Sequence, residues 1–380
     1  MSDRPRIAAI VTEYFDGSHA DVIVTKYLKG FPTDDGFQVP RVDLVSMYID
    51  QPTERDIGHA MAREYDVPVF PSILTALTLG GEELAVDGVL LIGEHGEYAW
   101  NEKEQQLFPR KYFLEQICGV MATSGRSVPV FNDKHLSYNW HDAKWMYDRM
   151  SGLEAPLMAG SSLPVCWRKP WLEHDPDGTI EEAGAIGFSG LEIYGFHTLE
   201  VLQCMVERRA GGETGVAAVT CLEGDDVWKA AEQGAWSRDL AEAACAAIEN
   251  KPTGRIEDHC SQPAIALIEY RDGLRATLLM LNGATQDFTF AARLQGNPPI
   301  VSTQFLLPPR PNVAYSACLV AQIEAMFISG KPPYPAERTL LVSGLLESCL
   351  ESKIKNQVRL TTPQLNVNYQ APPNSVFGDA

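Results

Sequence analysis

Asn132, Asp133, Lys134 and His135 stand in a row at the end of an apolar run in "VFNDKHLSYNW" (130–140). An amine beside an acid at the rim of a crevice can hold and move protons, and the adjoining imidazole can give or take one. Other apolar runs end in similar residues. Glu13, Asp16 and His19 follow "IAAIV" (7–11), and Glu94, His95 and Tyr98 follow "VDGVLLIGE" (86–94). Two chemistries are open to this set. One is proton transfer at Lys134, with Asp133 and His135 beside it. The other is a divalent metal held by Glu94, His95, Asp133 and His135, with Glu13 and Asp16 in reach. Mixed oxygen and nitrogen ligands suit Mn²⁺, Zn²⁺ or Fe²⁺, and a cation would relieve repulsion among the carboxylates. The spacing matches no metal signature such as H-E-x-x-H. His95 and His135 are as well suited to structural roles as to the site.

The apolar runs that deliver these residues alternate with amphipathic segments. Runs at 7–11, 42–49, 86–94 and 128–133 read as strands, with a shorter one at "VPVFPS". Helices are expected at "HADVIVTKYLKG", at 53–65 with Thr53 as cap, at "KYFLEQICGVMATSG" and at "WHDAKWMYDRMSG". Alternation of this kind predicts a doubly wound parallel sheet, whose strands stop at a crevice, so that their last residues form the site. Residues 1–155 are therefore expected to form a Rossmann-like domain. Beyond 155 the segments lengthen and alternate, with a hairpin turn at Asp272-Gly273 and a terminal helix at 336–356. Residues 156–380 are expected to form an α+β domain with a large, mostly antiparallel open sheet. Its broad apolar face predicts a homodimer or homotetramer.

The totals narrow the class. A net charge of -19 disfavours nucleic acid as a partner and fits a small-molecule ligand. No apolar run reaches the length of a membrane span, and "MSDRPR" carries no signal-peptide pattern. Eight scattered cysteines without a CxxC pair indicate neither a zinc ribbon nor a disulfide framework. A cytoplasmic location is the expectation.

The layout resembles the glucose–fructose oxidoreductase, inositol dehydrogenase and MocA-like family, from "RIAAIV" to "LTTPQLNVNY". "NDKHLSYNWHDAKWM" sits where that family has Glu-Lys-Pro. Lys134 matches its lysine, while Asp133 and His135 replace the glutamate and proline. "GFHTLE" (195–200) looks like the family's Gly-x-His-x-x-Asp helix start and matches its catalytic histidine with His197. "ERTLLVSGLLESCLESK" resembles its closing helix. The resemblance implies an oxidoreductase acting on a sugar, polyol or sugar-derived molecule with NAD or NADP. It places Thr12, Glu13, Gly17, Tyr48, Glu94 and His95 at the cofactor. It makes His19 structural, and leaves Arg168 between substrate contact and a domain-junction ion pair. The departure is the first loop. "TEYFDGSHA" lacks the glycines that let a backbone approach pyrophosphate, and Glu13 and Asp16 would repel a diphosphate. Either the dinucleotide binds in an altered pose or a metal-dependent lyase, hydrolase or isomerase uses the same crevice.

Overall fold

The computed structural model describes residues 4–176, 178–249, 253–296, 300–308 and 314–375. Residues 309–311 of a proline-rich spacer lie outside them. Contacts divide the chain into two compact units. The first is 1–101, 106–162 and 308–336, and the second is 102–105, 163–307 and 337–380.

In the first unit, β1 (Arg6–Val11) leads through a loop to α1 (His19–Lys29), capped by Ser18. A small hairpin, β2 (Phe31–Thr33) and β3 (Gly36–Gln38), precedes β4 (Asp43–Ile49). Two short helices follow, α2 (Gly58–Glu64) and α3 (Ile73–Thr78). Then come β5 (Gly88–Ile92), α4 (Arg110–Ser124), β6 (Val130–Asp133), α5 (Trp140–Gly152) and β7 (Leu157–Gly160). The five-stranded sheet has the order β4-β1-β5-β6-β7, and its pairings are all parallel. β5 is buried at every residue, as a strand covered on both faces must be. The expected parallel sheet is thus present. Two local expectations are not met. Thr53 does not start a helix, because its hydroxyl donates to Glu13 (2.7 Å) and α2 begins only at Gly58. "VPVFPS" forms no named strand, only a single bridge between Val69 and Met47.

The second unit holds β8 (Trp167–Lys169), β9 (Ile180–Gly187) and α6 (Tyr194–Val206). β10 (Val216–Glu223) is followed by α7 (Asp225–Glu232), α8 (Arg238–Ala246) and α9 (Ile256–His259). β11 (Gln262–Tyr270), β12 (Arg275–Asn282), β13 (Phe288–Leu294) and β14 (Ile300–Leu306) continue it. α10 (Tyr315–Ser329) returns to the first unit, although the sequence reading groups it with the second. α11 (Glu337–Ile354) and β15 (Leu360–Thr361) complete the second unit. Its eight-stranded sheet runs β15-β10-β11-β12-β9-β13-β14-β8, antiparallel except where β9 pairs with β12. The open face expected from the sequence is covered over its middle. Ile186, Leu279, Ile265 and Ala291 form a core cluster with Val227, Trp236 and Leu240 of the α7–α8 segment. Part of the sheet's apolar surface is therefore covered by the chain's own helices. Arg168 is buried in this unit, donates to the carbonyls of Leu172 (3.0 Å) and Pro164 (3.4 Å) and faces the Phe305 ring.

Candidate active site

Three strand ends of the first unit converge. Thr12, just past β1, donates its hydroxyl to the Glu94 carbonyl (2.5 Å) and so ties that end to the end of β5. Past β5 the chain turns through His95 at φ 70°, and past β6 through Lys134 at φ 59°. Left-handed backbone at two non-glycine residues costs about 1–3 kcal/mol each and persists only where surrounding structure enforces it. At Lys134 the enforcing contact is its N–H to the Gly160 carbonyl (3.0 Å). Asn132 adds two side-chain bonds, to the carbonyls of Asp133 and His135.

The side chains these turns deliver form a buried charge cluster. The Glu94 carboxylate accepts from Lys134 Nζ at 2.9 Å and from the Arg110 guanidinium on its other oxygen. Arg110 also meets Nε2 of His135 at 3.1 Å. Glu94, Lys134 and Arg110 are 6%, 4% and 0% exposed. Burial alone would raise the Glu94 carboxyl, but the Lys134 and Arg110 charges hold it well below the usual range. Gly93 admits Arg110 here, because a Cβ at Gly93 would lie 2.6 Å from Arg110 Cγ. Beside this cluster, Nδ1 of His19 lies 2.7 Å from Oδ2 of the buried Asp133. The rings of His19 and His95 are 5.5 Å apart. Burial, and then the neighbouring His19, lower the His95 pKa to about 4.

Among the described residues no three His, Cys, Asp or Glu side chains are grouped to hold a metal ion. The physical reason is visible in the pairings. Glu94 is taken by two cationic side chains and Asp133 by His19. The charge a metal would have balanced is balanced by Lys134 and Arg110. Of the sequence candidates, Asp133, Lys134, His135, Glu94 and His95 come together at the ends of β5 and β6. Glu13 is bonded to Thr53 and Arg55, and Asp16 is exposed. His197 lies on α6 of the second unit, its ring near those of Tyr194, Phe196 and Phe288. Sequence reasoning missed Arg110 and took His19 as structural. A signal for Arg110 existed. Arg110 and Lys111 open α4 with no acid in its first turn, against the helix dipole, which points to a specific partner.

The β1–α1 turn is filled by the chain's own groups. Glu13 is buried and paired with Arg55 through two bonds, at 3.0 and 2.9 Å, and the Arg55 guanidinium lies 3.6 Å above the Phe15 ring. Glu13 therefore presents no bare charge, in contrast to the repulsion expected from sequence. The N–H of Gly17 donates to Asp21 (3.0 Å), and those of Phe15 and Asp21 to Ser18 Oγ (3.1 Å each). Gly17 has φ 78°, and a Cβ there would meet nothing within 4 Å. The positive φ is what the turn requires of it, and the space above it is open. At the end of β4, Asp50 accepts from Tyr48 (2.6 Å) and Tyr98 (2.7 Å). Burial, then Asp50, keep both phenols protonated. Gln51 fixes the same 97–98 segment by accepting from the Glu97 N–H (2.7 Å).

No family model matches the chain, and no curated protein matches its sequence. Solved structures match its fold. GenD2 from gentamicin A biosynthesis, in complex with NAD, aligns with a TM-score of 0.59 at 15% identity, over 95% of this chain and 97% of that one. Apo scyllo-inositol dehydrogenase from Lactobacillus casei gives 0.57 at 10% identity, over 95% and 99%. Myo-inositol dehydrogenase from Lactobacillus casei, in complex with NAD(H) and myo-inositol, gives 0.57 at 11%, over 98% and 99%. The chain shares the fold of these dehydrogenases. The turn as built offers the dinucleotide that the fold implies few backbone donors: among the described residues, the N–H groups of His19 and Ala20 at the start of α1 make no hydrogen bond. Pyrophosphate binding at a helix N-terminus needs unengaged backbone N–H groups. Here those of Phe15, Gly17 and Asp21 are engaged, and the Asp21 carboxylate supplies the anion.

Proposed function

We propose that the chain is an oxidoreductase of the sugar and polyol dehydrogenase type, with its proton-handling groups at the carboxyl ends of β5 and β6. The observation that carries this reading is the Lys134–Glu94 pair (2.9 Å), buried at strand ends and held by a left-handed residue. Strain of this kind gathers at functional sites, and a cluster of titratable groups at parallel strand ends is where such folds work. The fold likeness to inositol dehydrogenases supports a hydroxylated, sugar-like substrate. An ammonium donor such as Lys134 can steady a substrate oxygen as its proton leaves. His197 is the residue of the second unit that the family resemblance nominates as catalytic.

NAD or NADP is the cofactor of this reading, and the partly engaged turn leaves the N–H groups of His19 and Ala20 on α1 to meet its diphosphate. The same turn favours a second reading, in which the chain moves protons on a sugar-like carbonyl compound without redox change. One experiment separates the two. Purified protein is given myo-inositol with NAD or NADP, and nicotinamide reduction is followed at its absorbance. In parallel it is given the keto-inositol in deuterium oxide, and carbon–deuterium exchange is followed by proton NMR. Reduction that is lost in Lys134→Met supports the oxidoreductase. Exchange without reduction supports the second reading, and neither signal refutes both for this substrate class.

A further inference from the structure

We propose that His19 is a general base of this site and that Asp133 positions it. The proposal rests on the function proposed above and names a proton acceptor for it within the first unit. His19 opens α1 and Asp133 closes β6, 114 residues later, and the fold brings Nδ1 and Oδ2 to 2.7 Å. Asp133 is 1% exposed, whereas 26% of the His19 side chain reaches the surface. A carboxylate accepting from Nδ1–H fixes the tautomer and leaves the lone pair at Nε2. A base held by a buried acid is the arrangement by which imidazoles are aimed at a substrate proton.

The neighbouring groups are less suited to the task. Glu94 is neutralised from both oxygens by Lys134 and Arg110. The Lys134 amine is engaged as a donor, and Nε2 of His135 faces Arg110. Nε2 of His95 is enclosed in protein and makes no hydrogen bond. His19 alone among these combines a fixed tautomer with a ring that reaches the surface. In the step, Nε2 takes the proton of a substrate hydroxyl. The O–H bond breaks, an N–H bond forms and the electron pair stays on oxygen. The imidazolium so formed keeps the Asp133 carboxylate as its counter-charge.

The test begins without substrate. The full chain is treated with diethylpyrocarbonate, which acylates an unprotonated imidazole nitrogen, and His-containing peptides are followed by mass spectrometry. His19 should be acylated, with the exposed His141 as the internal reference. Asp133→Asn, which frees the ring from its fixed tautomer, should change the ratio of the His19 rate to the His141 rate and leave the His141 rate itself unchanged. Asp133→Glu, which keeps the charge but shifts the oxygen, serves if the amide variant does not fold. No acylation of His19 in the wild type, or no response of its rate to either variant, would overturn the proposal. The second arm measures turnover on the inositol probes named above. His19→Gln should lose on the order of a hundredfold. Full turnover in His19→Gln with loss in Lys134→Met removes His19 from the role and leaves the proposed function standing. If the wild type turns over neither probe, that function fails and the acylation rates alone decide on His19.

Discussion

Replacing Glu94 by Gln tests the charge cluster most directly. The substitution keeps the shape of the side chain but removes the anion bonded to both Lys134 and Arg110, which are 4% and 0% exposed. Breaking a buried ion pair by removing one partner destabilises by about 3–5 kcal/mol. A second route to the magnitude agrees. Two cations bonded to opposite oxygens of one carboxylate stand roughly 5 Å apart, and at an effective dielectric near 20 their repulsion is about 3 kcal/mol. Urea unfolding of Glu94→Gln, followed by circular dichroism at neutral pH, should show a loss of this size in the transition of the first unit. Adding Lys134→Met removes one of the stranded cations. The double variant should therefore recover part of the loss, a coupling that a double-mutant cycle reads out. The pH dependence has a definite sign. The folded Glu94 carboxyl lies below its ordinary value of 4.5, so its contribution is complete above that pH and is lost as pH falls below it. The acid limb of Glu94→Gln should be flatter than that of the wild type. A loss under about 1 kcal/mol with an unchanged acid limb would refute the reasoning, since a buried pair must cost more than that when broken.

Lys134→Met should cut turnover on the order of a hundredfold, with His141→Ala nearly neutral as the control, both measured on the inositol probes. NADH titrated by fluorescence should bind the wild type weakly. Asp21→Ala, which frees the Gly17 N–H, should tighten it, and micromolar binding by the wild type would contradict the filled turn. His95 should show no ring protonation by NMR between pH 5 and 8, because burial lowers its pKa to about 4. Since an unfolded histidine takes up its proton near pH 6.5, this group subtracts from stability as pH falls from there toward 4, and His95→Phe should remove that part of the slope.

Most of the first unit's sheet was legible from apolar runs bounded by turn residues, because parallel strands buried on both faces are continuously apolar. What could not be read were pairings set by distance in the chain. Arg110 reaches Glu94 across 16 residues and His135 across 25, and His19 reaches Asp133 across 114. Residue type marks such groups as polar loop residues, but only the fold decides which of them meet. Thr53 illustrates the same limit. It has the chemistry of a helix cap, yet its hydroxyl is spent on Glu13. Helices over the second sheet are expected, but "DDVWKAAE" and "RDLAEAACA" are not assigned to that cover from sequence, because each spans only about two turns.

The membership of α10 in the first unit governs how this protein can be synthesised. Tyr27 of α1 donates to the Val320 carbonyl (3.0 Å), and Glu324 accepts from Arg41 at 2.9 Å. A Cβ at Gly88 would meet the Phe327 ring at 2.5 Å, so α10 lies directly against β5. The ribosome must therefore make strands β8 to β14 of the second unit's sheet before the first unit can close its core. During that interval the surface of α1 and β5 awaiting α10 stands open to chaperones and to aggregation. A nascent chain stopped near residue 162 should be protease-sensitive, whereas joining 314–336 behind it through a flexible linker should restore a protected core.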